Sequence, residues 1–227
     1  WENNVARSRP YWVGNFPSLQ KEFPDSLKDV TAEEFYKGVN LVEPSFIRVE
    51  ADELTYHAHV YIRYIIEKAL IEGSLEVSDV PKFWNDRDEE YLGIRPKSDA
   101  EGCLQDVHWS YGSFGYFPTY SFGSFYSAQL QFAMKKALPN FDRDVETGNL
   151  APILNWLREN VHVHGRKYNS EELLDNDVLL DRLVKSVMEY LKEVKSNELR
   201  IFVDEVETMT EIVRLDQSPE KEEEAYH

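Results

Sequence analysis

The amino-acid sequence predicts a mainly α-helical protein, and three observations carry that reading. Apolar residues recur at helical period in several long segments. Helix-opening and helix-closing residues sit at the ends of those segments. Strand-like alternation shows only at Leu199, Ile201 and Val203. With 227 residues the chain is long enough to bury a core as one large domain or two small ones.

Each element follows in chain order. The start, WENNVARSRP, reads as the middle of a helix followed by a break. In VTAEEFYKGVN, Thr31 stands three residues before Glu34, the spacing of a capping box ahead of a short helix. Residues 51–72 place Leu54, Ala58, Tyr61, Ile62, Ile65, Ile66 and Ala69 on one helical face, and Gly73 ends the run. A helix over 79–92 accommodates Pro81 in its first turn. Residues 124–138 and 150–162 read as helices, Ser170 with Glu171 and Glu172 opens a short one, and 177–195 is strongly amphipathic. For 198–215 the pattern leaves a strand and a helix both open, and the end is an acidic tail.

Composition excludes several classes of partner. A formal charge of −17 repels phosphate, which argues against nucleic acid and against anionic membrane surfaces. No apolar run has the length of a membrane span, and the start lacks a signal-peptide pattern. One cysteine, Cys103, rules out internal disulfides and fits a reducing compartment, so a cytoplasmic location is expected. Trp1 is not an initiator methionine, and the chain is expected to be part of something longer.

Several residues invite a chemical role. The segment GCLQDVHWSYGSFGYFPTY (102–120) is too rich in glycine for a helix and too aromatic for a solvent loop. It fits either irregular chain packed over a core or a rigid pocket wall. A HExxH pair of zinc ligands is absent from the sequence. His57 and His59 would point apart on a helix, and His162 with His164 read as groups at a helix C-terminus. Cys103 reads as a small buried thiol rather than a nucleophile.

Arg48 sits in the apolar stretch PSFIRVEAD and needs an anion: Asp52 as a structural bridge, or the carboxylate of a ligand. Asp52, Tyr56, His59 and Arg63 form a polar stripe, either a solvated flank or one wall of a cleft. Asp106 and His108 alternate about Val107. An imidazole held by a neighbouring carboxyl can donate its other N–H to an oxyanion, and Tyr111, Tyr116 and Tyr120 offer hydroxyls for the same task.

Two stretches match known signatures. IRVEAD (47–52) fits IRxxAD, and GCLQDVHW (102–109) fits GxxQDxHW. Together with FPTYSFG (117–123), WENNVARSRPYW and RENVHVHG (158–165), they make the chain resemble the thermostable, Taq-type metallocarboxypeptidases over residues 1–174.

The resemblance implies the C-terminal half of a mostly helical, deep-clefted, dimeric peptidase. In that family a zinc ion (or cobalt) activates the water that attacks the last peptide bond. The HExxH and a HES-type motif that hold the ion precede the segment resembling Trp1 onward, so the isolated chain is expected to be inactive. The resemblance assigns Arg48 to the substrate's C-terminal carboxylate, His108 to the oxyanion or leaving amine, and Tyr120 to a second donor. Asp106 would orient His108 or simply pack, and Asp52 would fix the start of its helix.

The expected partners are a peptide C-terminus, a second copy of the chain and the zinc-bearing half. Residues 175–215 depart from the family, and 216–227 form the tail. Two other readings stand beside this one: a non-catalytic helical binding or dimerisation module, and one half of a split two-chain peptidase.

Overall fold

The break foreseen at SRP is a helix start. Ser8 lies in extended conformation and its hydroxyl accepts from the Tyr11 N–H at 3.4 Å, while Pro10 occupies the first turn, where no N–H is needed. Helix α1 therefore runs from Arg9 to Glu22, preceded by a π-helical turn over Glu2–Ala6. A computed structural model describes residues 1–168; the expectations for the segments from Ser170 onward lie outside the described residues.

Short α2 (Pro24–Leu27) leads to α3 (Ala32–Val39), whose capping box is complete: Thr31 and Glu34 satisfy each other's backbone N–H groups. A 3₁₀ turn at Arg48–Glu50 precedes α4 (Thr55–Ile71), and Gly73, at φ +73°, closes it. α5 (Val80–Leu92) carries its proline in the first turn and ends at left-handed Gly93.

α6 (Pro118–Ala137) starts six residues before the expected helix over 124–138, because Pro118 opens a helix as readily as it interrupts one. Two helices close the described part, α7 (Phe141–Thr147), which no sequence signal announced, and α8 (Ala151–Asn160). All regular elements among the described residues are helical, and none of their helices is long and apolar enough to cross a membrane.

Two packed regions result. Val5, Met134, Phe141, Val145 and Ile153 form a wholly apolar cluster where α6, α7 and α8 meet, with Leu130, Trp156 and Leu157 against it. α1 lies so close to α7 that a Cβ on Gly14 would fall 1.8 Å from the Glu146 carbonyl oxygen, which reserves that position for glycine. The second region joins α4 to α5 and to the start of α6. Here Val60, Ile62, Ile66, Trp84 and Phe117 share the interior with His59, Arg63 and Asp88, all fully buried. The mixed region positions the site.

Candidate functional site

α4 is apolar around nearly its whole circumference, so polar residues within it are buried with the rest. Of the two readings of the polar stripe, the solvated flank is not found: His59 and Arg63 have no exposed surface, and their neighbour Glu67 keeps only 4%. Of the stripe, Tyr56 reaches the cleft described below together with Asp52.

The two matched motifs fold into one network. Gln105 donates through Nε2 to the carbonyls of Phe46 and Glu101, and its Oε1 accepts from the Arg48 backbone N–H at 2.8 Å. Asp106 receives Arg48 Nη2 at 2.7 Å on Oδ1 and Arg63 Nε at 2.6 Å on Oδ2. Trp109 donates from its indole to Glu67 Oε1 at 2.7 Å, and Glu67 Oε2 accepts from the Gly115 N–H. The polar side chains Gln105, Asp106 and Trp109 thus each tie the 102–117 segment to α4 or to the turn before it. This answers the question its composition raised: residues 102–117 are irregular chain pinned over a core, and of the stretch 102–120 it is Tyr120, on α6, that lines the cleft.

Two sequence expectations are corrected here. Arg48 bridges to Asp106, fifty-eight residues away, and not to Asp52. The Asp52 oxygens are occupied by the N–H groups of Glu43, Leu54 and Thr55 and by the Thr55 hydroxyl, which fixes the start of α4. Asp106 does not orient His108: the closest approach to Nδ1 is 4.0 Å, beyond a hydrogen bond. His108 instead shares a 2.9 Å hydrogen bond through Nε2 with the Tyr120 hydroxyl, and its ring packs on Phe117. Of the other tyrosines considered, Tyr111 is 79% exposed, and Tyr116 lays its ring against His108.

Arg48 is 5% exposed, yet it lines a cleft of about 380 Å³ together with Tyr56, Tyr120, Arg7 and Asp52. A guanidinium carries five N–H groups. Asp106 takes the Nε and Nη2 edge, and the Tyr56 hydroxyl takes one N–H of Nη1 at 3.1 Å. One N–H on each Nη is left, a pair that suits the two oxygens of a carboxylate. Aromatic rings frame the cation, with Tyr120 4.9 Å and Phe117 5.6 Å from Cζ.

Electrostatics keep the network charged. Burial alone would raise the Asp106 carboxyl, but the Arg48 hydrogen bond and the charge of Arg63 hold it below the ordinary range. Burial pulls Arg63 down to about 10 against the attraction of Asp106, so it stays protonated at neutral pH. His59, pushed by burial and then by Arg63 to about 3, is neutral. Burial pushes the Tyr120 hydroxyl up, which keeps its proton available.

The remaining candidates fall elsewhere. His57 shares a hydrogen bond with Ser121 on α6, while His59 lies inside the α4 core, so the two do point apart. His162 and His164 lie in a 3₁₀ turn after α8, with His164 against Tyr168. Cys103 is buried, and burial raises its thiol, as suits an inert side chain. Gln105 and Glu67 were given no role from the sequence, and Arg63 only a place in the polar stripe, although Gln105 and its neighbours stood inside a quoted motif.

The fold is helical, and its cleft is lined by Arg48 and by Tyr120, which is hydrogen-bonded to His108. Comparison with known proteins places it further: residues 1–195 match the model of the carboxypeptidase Taq (M32) metallopeptidase family, and the chain belongs to that family. The match continues past residue 174, where the sequence resemblance was expected to end.

Carboxypeptidase 1 of Bacillus subtilis is 43% identical over 197 residues, 87% of this chain and 39% of that protein. Thermostable carboxypeptidase 1 of Pyrococcus furiosus is 39% identical over 193 residues, 85% and 38% of the two chains. The crystal structure of an M32 carboxypeptidase from Deinococcus radiodurans superposes with a TM-score of 0.74 at 42% identity, covering 77% of this chain and 35% of that one. The chain thus spans well under half the length of the relatives it matches. Membership of a metallopeptidase family implies a metal ion. Among the described residues no group of three or more His, Cys, Asp or Glu is placed to hold one. The described residues do not fit the ion.

Proposed function

We propose that this chain supplies the substrate-carboxylate side of a metallocarboxypeptidase cleft, which removes the last residue of a peptide by hydrolysis. The observation that carries the reading is the geometry of Arg48. Its inner edge is spent on Asp106, and one N–H on each Nη remains at the cleft for a C-terminal carboxylate. Tyr120, which lines the cleft beside Arg48, is suited to donate to the oxygen of the scissile carbonyl or to the leaving amine, with His108 hydrogen-bonded behind its hydroxyl. The ion, zinc by the family resemblance, would be held by residues other than the described ones, and the described chain alone would not hydrolyse peptides.

The test is a chimera that joins this chain to the remainder of the Bacillus subtilis relative, assayed for release of a C-terminal residue. Arg48→Ala should lower kcat/KM for peptides with a free carboxylate by an amount equivalent to about 2–5 kcal/mol. The poorer turnover of C-terminally amidated peptides should stay where it was. Equal losses on both would make Arg48 structural and overturn the reading.

A further inference from the structure

α4 carries a second guanidinium to which the cleft reading gives no task. Arg63 is fully enclosed. Its Nε donates to Asp106, Nη1 donates to the His59 carbonyl at 2.7 Å, and Nη2 has no hydrogen-bond partner. Its plane lies over Trp84, with Cζ 4.5 Å from the ring centroid, and Phe117 stands on another side. A buried charge with an idle N–H group is costly, and an apolar side chain of similar volume would fill the space at less expense. Packing alone gives no reason for the charge.

Counting charges supplies one. Arg48 and Asp106 by themselves are a neutral pair, with little field left to draw an anion. Adding Arg63 gives two guanidiniums on one carboxylate and a surplus of one positive charge. Trp84 and Phe117 seal Arg63 away, so an incoming anion can meet that surplus only at Arg48, which faces the cleft.

Among the described residues no carboxylate other than Asp106 is hydrogen-bonded to either guanidinium. The other buried carboxylate of α4, Glu67, spends its two oxygens on the Trp109 indole and the Gly115 N–H. Asp88 on α5, which accepts from the Trp84 indole, is pushed up to about 7 by burial and so resists carrying a full charge. His59 is neutral.

We propose that Arg63 is a positioning residue for carboxylate recognition: it fixes Oδ2 of Asp106 and supplies the charge that leaves Arg48 in need of an anion. The substrate carboxylate then completes an alternating row, Arg63, Asp106, Arg48, carboxylate. This rests on the reading of Arg48 as the carboxylate receptor.

The experiment compares dissociation constants of an acetylated dipeptide with a free C-terminus and of its amide, on the full chain and its variants. Arg63→Gln keeps hydrogen-bonding capacity and loses charge; Arg63→Lys keeps the charge. R63Q should lose the preference for the carboxylate form by tenfold or more with amide affinity unchanged, and R63K should retain a large part of it. R63Q that keeps the preference, or R63K that loses it as fully as R63Q, overturns the proposal.

If R63Q does not fold by near-UV circular dichroism, R63K decides. A preference that falls as the introduced ammonium deprotonates between about pH 7 and 10, with wild type unchanged, supports the charge role. A flat preference overturns it. The underlying reading fails separately: wild type would then show no preference, or Arg48→Ala would leave it intact.

Discussion

The two packed regions of this chain are built on opposite rules. Around Val145 and Ile153 the interior is apolar side chains alone, held by burial and contact, which have no direction. Around Arg63 the interior is a set of charges and hydrogen bonds at fixed angles, wedged between Trp84 and Phe117. The apolar cluster asks only for the right volume. The polar one asks for particular atoms, and through Arg48 it lies against the cleft.

Substitutions that preserve shape separate the two rules most sharply. Asp106→Asn changes almost no volume but leaves two buried guanidiniums without their anion, and should cost about 3–5 kcal/mol in urea unfolding. A loss under about 1 kcal/mol would mean that Arg48 and Arg63 reach water or another anion.

Next comes pH. Asp88 in the folded chain sits at about 7, well above the ordinary aspartate value of about 3.9. Its contribution to stability is therefore complete below about pH 4 and is lost as pH rises through 7. His57 and His59, lowered by burial to about 4 and about 3, act the other way: their contribution is present above 6.5 and lost as pH falls through those values. Asp88→Asn removes only the first effect. Its stability relative to wild type should be about 2–3 kcal/mol more favourable at pH 8 than at pH 5. An increment that is the same at both pH values contradicts the burial argument.

The smallest effect belongs to the apolar cluster. Met134→Leu, a swap of similar volume, should change stability by less than about 1.5 kcal/mol and should not alter peptide binding.

The same contrast explains what could be read from the sequence. The Thr31 capping box, the end of α4 at Gly73 and the extent of α5 depend on neighbours within a turn, and local pattern reveals them. The two motifs carried the family resemblance and, through it, the roles assigned to Arg48, His108 and Tyr120. The partner of Arg48 was not legible, because Asp52 stood conveniently four residues away while Asp106 lay in another segment. Nor was the burial of His59 and Arg63, since a polar stripe reads as a flank. The signal was present nonetheless: Val60 and Tyr64 lie on the far side of the stripe from the apolar face, so the stripe runs between apolar residues on both sides. α6 was cut short because Pro118 was taken with the irregular segment before it.

The central claim is that the polar interior exists to present Arg48 to a free carboxylate. Isothermal titration of the wild-type chain with a matched pair of short peptides, one ending in a carboxylate and one in an amide, tests it most directly. The account predicts that the carboxylate form binds at least tenfold tighter and that Arg48→Ala removes the difference. Equal affinity of the two forms for the folded wild-type chain would contradict it.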